Sequence, residues 1–293
     1  MIALLFSGAR LTLSIDLHSH SYRSDGALSP SALMTRASER AVAVLALTDH
    51  DTVDGLEEAA AAARGHGVRL VPGVEISVTW SGRTLHVVGL GIDPDNAKLQ
   101  SGLTSVRAGR VQRARAIAAR LDAQGIPGTM EGALALAANP DMVSRTHFGR
   151  HLVAAGHCKD MGSAFRRYLG EGKPAHVRHA WASLPDAVGW IVSAGGIAVL
   201  AHPGRYGLRR VRQRSLFDEF RALGGVAVEV VTGSHSREQV QTAAQLAVES
   251  GLLASAGSDF HSPEESWLDL GQLAPMPDEC RPLWHDPRYT WLQ

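Results

Sequence analysis

The chain is short of cysteine, of long apolar runs and of net charge. Its two cysteines in 293 residues, Cys158 and Cys280, match no metal-binding or redox spacing. That excludes a disulfide framework and a thiolate metal site, and leaves a reduced, cytoplasmic setting as the expectation. No apolar run approaches the roughly 20 residues needed to cross a bilayer, so no membrane span is expected. The opening MIALLFSGARLTLS has no basic leader region and no good cleavage site, so an over-long start explains it as well as a signal peptide would. Lys+Arg and Asp+Glu number 29 each, which removes any bulk electrostatic case for a nucleic-acid or membrane-surface protein. The 45% hydrophobic content excludes disorder, and the length allows one large domain or two ordinary ones. Repeats and low-complexity segments are also missing.

What is present is an alternation of strands and helices. LSIDLHSH reads as a strand, and the helix after it takes Ser29 as its N-cap and Pro30 as its first residue. AVAVLALTDHD reads as a second strand, GLEEAAAAARGHG as a glycine-closed helix, and RLVPGVEISVTW with LHVVGLGID as a hairpin. The rhythm resumes late. Helices near 184–194, 215–223 and 236–250 precede the strands GGIAVLAHPGRY, GGVAVEVVTGSH and GLLASAGSDFH. This is an α/β pattern with a mainly parallel sheet. Between them lies a stretch without a convincing strand. The expected organisation is 14–98 and 181–293 as two parts of one α/β domain, with 99–180 as a helical insertion. The tail after Ser262, rich in Pro and Trp, is expected to wrap the surface.

Fourteen histidines are the unusual count, and several stand beside aspartate at the ends of the strands. His18 and His20 are two apart on a strand and face the same way. Asp25 lies in the next loop, His50 sits within Thr48-Asp49-His50-Asp51, Glu75 follows Pro72-Gly73, and His86 lies on the partner strand. The later strands end in Ala201-His202-Pro203 and Ser258-Asp259-Phe260-His261. Any one of these is an ordinary polar residue. Recurrence at five successive strand ends is different, because packing has no use for charge buried at one rim. Imidazole mixed with carboxylate suits zinc, manganese or iron, and one carboxylate can bridge two ions. Asp49 and Asp51 read equally as orienting partners of the imidazoles or as loop carboxylates.

The strings DLHSHS, TDHD, PGVE, AHP and SDFH resemble the successive motifs of the PHP (polymerase and histidinol phosphatase) domain family, across about 14–98 and 181–262. The resemblance implies a distorted (βα)7 barrel with a trinuclear metal centre on its C-terminal rim. It implies that His18, His20, Glu75 and Asp259 hold one divalent ion and that Glu75 bridges to a second, completed by His86 and His202. Asp25, His50 and His261 would hold the third. Many family members have histidine where Asp25 stands, which makes the third site harder and more suited to manganese or magnesium. Manganese is the expected metal, with zinc, iron or magnesium as alternatives.

Adjacent divalent ions point to a phosphate ester as substrate. The charge distribution agrees. Residues 99–180 carry 12 Lys+Arg against 5 Asp+Glu, net +7, which leaves 17 against 24 elsewhere, net −7. Ser144, Arg145, His147 and Lys173 in the insertion are the expected phosphate contacts. Arg107, Arg110, Arg113, Arg115 and Arg120 read instead as a solvated helix face. Arg205 and Tyr206 follow AHP directly and belong near the metals. His235 ends another strand and is a candidate for contacting substrate or protonating the leaving oxygen. Arg205 and His235 are therefore the catalytic candidates beside the metals.

The SRTHF segment in the insertion, with GKP, AHPGRY and CRPLW, resembles a narrower group within the family. That group is the bacterial 3',5'-nucleoside bisphosphate phosphatases, whose close relatives act as 5'-3' exoribonucleases. The resemblance implies phosphate removal from small nucleotides such as pAp by metal-activated water, with short RNA ends as the alternative substrate. Phe148, Phe165 and Tyr168 are the only aromatics in the insertion before its end, which favours the small nucleotide over a long nucleic-acid track. A histidinol-phosphatase-like enzyme or a non-catalytic PHP module ranks lower, and no obligate protein partner is evident.

Overall fold

The computed structural model describes residues 14–292, so the expectations about the first residues lie outside the described part. In chain order the elements are β1 (Ile15–Asp16), α1 (Pro30–Glu39), β2 (Val44–Leu47), α2 (Leu56–His66), β3 (Arg69–Trp80) and β4 (Arg83–Leu90). The insertion contributes α3 (Ala97–Asp122), α4 (Thr129–Ala135), α5 (Arg145–Ala154) and α6 (Met161–Ala164). β5 (Ala182–Ser183), α7 (Leu184–Ser193), β6 (Ile197–Leu200), α8 (Arg210–Ala222), β7 (Ala227–Thr232), α9 (Arg237–Ser250) and β8 (Leu253–Gly257) complete the set.

Seven strands follow one another in the order β1-β2-β3-β4-β6-β7-β8, with β5 pairing off β3. β4 runs antiparallel to both of its neighbours, β3 and β6. The ring closes where the Leu17 N–H donates to Ala256 O at 3.0 Å and Ser19 pairs with Phe260. The result is a distorted seven-stranded barrel with helices around it.

Strand periodicity sorts the apolar side chains into two layers. On β2, Val44 and Ala46 enter the barrel interior with Leu17, Val88 and Val199. Leu45 and Leu47 of the same strand point outward under the helices with Met34, Phe217 and Phe220. A third apolar cluster, including Ile117, Leu121, Phe148 and Leu152, belongs to the insertion. The helix α3 joins two of these layers, since its Leu99 and Leu103 pack with the barrel and its later turns with the insertion.

Local signals act as expected at several ends. The Ser29 side chain accepts from the Ala32 N–H with Pro30 in the first turn, and Gly67 closes α2 at φ 67°. Three expectations are corrected. Regular strand structure in LSIDLHSH is confined to Ile15–Asp16, because side chains take over the bonding: Asp16 accepts from the Ser258 and Gly271 N–H groups, and Thr48 Oγ1 from the Ser19 N–H. α8 starts at Arg210, ahead of the expected 215, since helix formation there does not wait for an apolar stripe. The tail does more than wrap the surface, because Leu283 and Leu292 are fully buried against the barrel interior.

Candidate metal centre

The strand ends bring nine side chains to one rim. His18 and His20 place their Nε2 atoms 3.1 Å apart, both fully buried. Glu75 lies at the centre: its Oε1 is 3.4 Å from His18 Nε2, 2.9 Å from His86 Nδ1 and 3.0 Å from His202 Nε2. Its Oε2 is 3.4 Å from His20 Nε2 and 2.8 Å from His50 Nδ1. Asp259 Oδ1 stands 3.3 Å from His20 Nε2, and Asp25 Oδ1 stands 3.3 Å from His261 Nε2. Four overlapping groups of this set have ligand atoms within 4.8 Å of one another: His20, Asp25, His50 and His261; His18, Glu75 and His202; His18, His20 and Asp259; His50, Glu75 and His86.

Getting them there strains the backbone. His202 and Asp259 adopt φ of 26° and 56°, a region that side-chain-bearing residues rarely occupy. At Gly257 a Cβ would come within 2.3 Å of His18 Cβ, so only glycine lets β8 approach β1 at this point.

The donor set fits divalent ions. His20 Nδ1 and His202 Nδ1 are buried without hydrogen-bond partners, although buried polar atoms seldom go unpaired. Burial pushes His20 down to about 3 and His86 down to about 4, so both present free lone pairs at neutral pH. Burial opposes ionisation of Glu75, but His86, His50 and His18 outweigh it and hold the carboxyl well below its usual range. His18, His50 and His261 behave differently: against the effect of burial, the carboxylates around them raise all three, with Asp25 and Asp259 pushing His261 up to about 9. Neutral imidazoles beside ionised carboxylates are the ligating forms, so a bound cation would take the place of the protons on these three.

One organising residue was not anticipated. Glu229 on β7 is 1% exposed and accepts from His18 Nδ1 at 2.6 Å and from the His202 N–H at 2.7 Å. It thereby fixes the His18 tautomer that aims Nε2 inward. The available signal was a lone acid inside the apolar string AVEVVT. Asp49 and Asp51 do not orient imidazoles. Asp49 accepts from the Ser21 N–H and from Ser21 and Ser24 Oγ, whereas Asp51 binds Ser77 and Arg110.

A cleft opens over this rim, and the insertion supplies its other wall. Ser144, Arg145, Thr146 and Phe165 line it, opposite Asp25, Glu75, His202 and Asp259. Ser144 Oγ and Thr146 Oγ1 donate to Asp25 Oδ2 at 3.1 and 2.9 Å, which ties α5 to the barrel. Arg205, half exposed, donates to Asp259 Oδ2 at 2.7 Å. The expectation of a solvated face on α3 is corrected. Arg110 is buried against Asp51 and Ser77, Arg107 donates to Asp51 O, and Arg113 lines the cleft; Arg115 and Arg120 stay exposed. Arg110 and Arg113 both lie over the Trp181 ring. Arg113 and Arg145 donate only to the carbonyls of Val177 and Leu169 and meet no carboxylate among the described residues. Burial and neighbouring cations lower the pKa of both.

Four expected contacts lie elsewhere. His147 is 1% exposed, and its Nδ1 accepts from the Ser144 N–H in a capping box, so it orders α5 rather than lining the cleft. Lys173 is exposed beside the turn it closes, outside the cleft lining. Tyr206 is buried, with its hydroxyl bonded to Ala201 O and the His86 N–H. His235 spends both ring nitrogens on the backbone: Nδ1 donates to Val230 O, and Nε2 accepts from the Gly204 N–H, each at 3.0 Å. It does not line the cleft.

This arrangement of a seven-stranded barrel and a histidine-carboxylate rim agrees with the comparisons. The family model described as PHP domain matches residues 16–172, and the chain belongs to that family. A 3',5'-nucleoside bisphosphate phosphatase from Chromobacterium violaceum is 53% identical over 273 residues, covering 93% of this chain and 96% of that one. A 5'-3' exoribonuclease from Haemophilus influenzae is 44% identical over 274 residues, covering 94% and 99%. Among solved structures, an amidohydrolase from Chromobacterium violaceum with bound sulfate and no metal aligns with a TM-score of 0.90 and 54% identity, covering 92% and 94%.

Proposed function

We propose that this chain is a metal-dependent phosphatase that removes one phosphate from nucleoside 3',5'-bisphosphates. The observation that carries the reading is the juxtaposition across one cleft of a buried ligand rim with Arg113 and Arg145, which lack carboxylate partners. Three ions are assigned: one to His18, His20, Glu75 and Asp259, one to Glu75, His86 and His202, and one to Asp25, His50 and His261. Manganese suits the mixed set of imidazole and carboxylate. Divalent ions held there would supply Lewis acidity, acidifying water and neutralising phosphoryl oxygens.

The chain's own residues do the rest. Arg205, tethered by Asp259, presents a guanidinium to the phosphoryl group under attack. Arg113 and Arg145 bind the second phosphate, and Ser144 and Thr146 hold α5 in place through Asp25. Residues 99–180 thus act as a cap on a barrel built from 14–98 and 181–293. The two buried, free cysteines support a cytoplasmic setting. Among the described residues no helix is long and apolar enough to cross a membrane.

The test is phosphate release from pAp, AMP, histidinol phosphate and a short 5'-phosphorylated RNA, each with manganese. Preferred turnover of pAp is expected. Turnover of histidinol phosphate alone would overturn the nucleotide reading, and metal binding without activity on any of the four would leave a non-catalytic module.

A further inference from the structure

The insertion is tied to the barrel by polar contacts that gather around one part of the rim. At the start of α5, Ser144 Oγ and Thr146 Oγ1 donate to Asp25 Oδ2 at 3.1 and 2.9 Å. Further along α5, Arg150 forks onto Glu265 with both bonds at 2.8 Å, in the loop that follows His261. On α3, Arg110 pairs with Asp51, the residue after His50, and Arg107 donates to Asp51 O. Asp25, His50 and His261 are the three ligands assigned above to one ion. Other rim ligands take barrel partners: Glu229 for His18 and His202, Tyr206 for His86, and Arg205 for Asp259.

We propose that Ser144 and Thr146 are positioning residues of this third cation site, so that cation binding at Asp25 and the seating of α5 on the barrel are coupled. This rests on the three-ion assignment above and extends it by making the insertion part of one site.

Asp25 can serve both sides because a carboxylate has two oxygens. The residue is buried, and Oδ1 faces the rim, 3.3 Å from His261 Nε2 and 3.9 Å from His50 Nε2. Oδ2 faces α5, where the two hydroxyls fill its lone pairs. Ser144 Oγ is itself held in place, since as N-cap it accepts from the Thr146 N–H at 3.1 Å. The carboxylate cannot turn without breaking two charge-assisted bonds. Its negative charge also complements the N-terminal end of the α5 dipole. A histidine at this position could not do the same. With one nitrogen on a cation, the other would turn an N–H toward the two hydroxyls and could not accept from them. The coupling therefore belongs to the aspartate. Linkage of this kind is reciprocal: whatever seats α5 tightens the cation, and the cation seats α5.

The experiment titrates metal-free protein with manganese, reading bound ions and, in parallel, hydrogen exchange of the α5 amides. Wild type should bind three ions and gain protection in α5 as it loads. Asp25→Asn, the control for the site, should lose one ion and that gain in protection. Thr146→Val keeps the Ser144 N-cap and removes one donor to Asp25. It should weaken one ion roughly tenfold, the size expected when a group that orients a ligand is lost, and leave the other two within about twofold. Thr146→Ser should restore wild-type binding. Adding Thr146→Val to Asp25→Asn should cost the two remaining ions nothing further. Arg150→Ala loosens α5 without touching Asp25, and should weaken the same ion. Faster α5 exchange with all three affinities unchanged would make the hydroxyls structural and overturn the inference. Equal weakening of all three ions, or wild-type α5 protection indifferent to manganese, would do the same. Three ions still bound by Asp25→Asn would overturn the three-ion assignment itself, and the coupling with it. A matching thermal midpoint confirms that Thr146→Val folds, and Arg150→Ala decides the question if it does not.

Discussion

The two walls of the cleft are built on opposite principles. On the barrel wall every ligand is buried or partly buried and meets a group of complementary charge or an imidazole neighbour, with Glu75 touching five histidines. On the insertion wall Arg113 and Arg145 are held by carbonyls and packed beside other cations. One wall is arranged to concentrate cations and the other to receive an anion. A phosphorylated ligand reconciles them, since its oxygens satisfy both at once. The zero net charge of the whole chain therefore conceals two oppositely charged parts, net −7 and net +7.

The largest effect should come from the barrel wall. Glu75→Gln removes the charge shared by the whole ligand set, and should lower turnover roughly a thousandfold together with bound metal, as several kcal/mol of transition-state stabilisation would imply. Steady-state kinetics and metal analysis read this, and an active, metal-loaded variant would break the comparison. Glu229→Gln acts one step removed, by loosening His18. A fall of roughly ten- to hundredfold in metal affinity is expected, with activity restored by excess metal.

The insertion wall should respond in a different parameter. Arg145→Ala should raise the Michaelis constant for pAp roughly tenfold and leave turnover nearly intact, the pattern for lost binding of a remote phosphate. An unchanged Michaelis constant would remove Arg145 from the site. The smallest effect concerns His147, whose pKa burial lowers to about 4. A histidine that folds neutral contributes stability that is full above about 6.5 and is lost as pH falls towards 4, by up to roughly 3 kcal/mol. His147→Gln keeps a side chain suited to the capping box. It should match wild type at pH 7.5 and lose less stability between pH 6.5 and 4 in denaturant titrations. An unaltered acid slope would show that His147 does not titrate there.

Legibility in the sequence differed between the walls for a physical reason. His18 and His20 could be placed on one face because strand side chains alternate, and the strand ends that carry His50, His202 and Asp259 were marked by apolar runs giving way to polar strings. Glu229 was overlooked because it sits inside such a run, although an acid there must have a buried partner. Tyr206 stands beside His86 and His202 as expected, but neither it nor His235 lines the cleft, because nearness in sequence to a ligand does not set where a side chain points. Arg110 and Arg113 were read as solvated because a helix pattern says which residues share a face and not what covers that face. The covering came from Asp51, Ser77 and Trp181, all distant in the chain.

The sequence by itself determined the barrel's alternation, the residue types of the metal rim and the charge split between the insertion and the rest. These follow from local periodicity and composition, which each segment carries alone. Only the tertiary structure decided which arginines face the rim, which histidines are spent on the backbone and that Glu229 steadies His18. Those outcomes depend on contacts such as Asp25 with Ser144 and His18 with Glu229, 119 and 211 residues apart. No local pattern specifies such a meeting, because it exists only when the packed layers bring the two segments together.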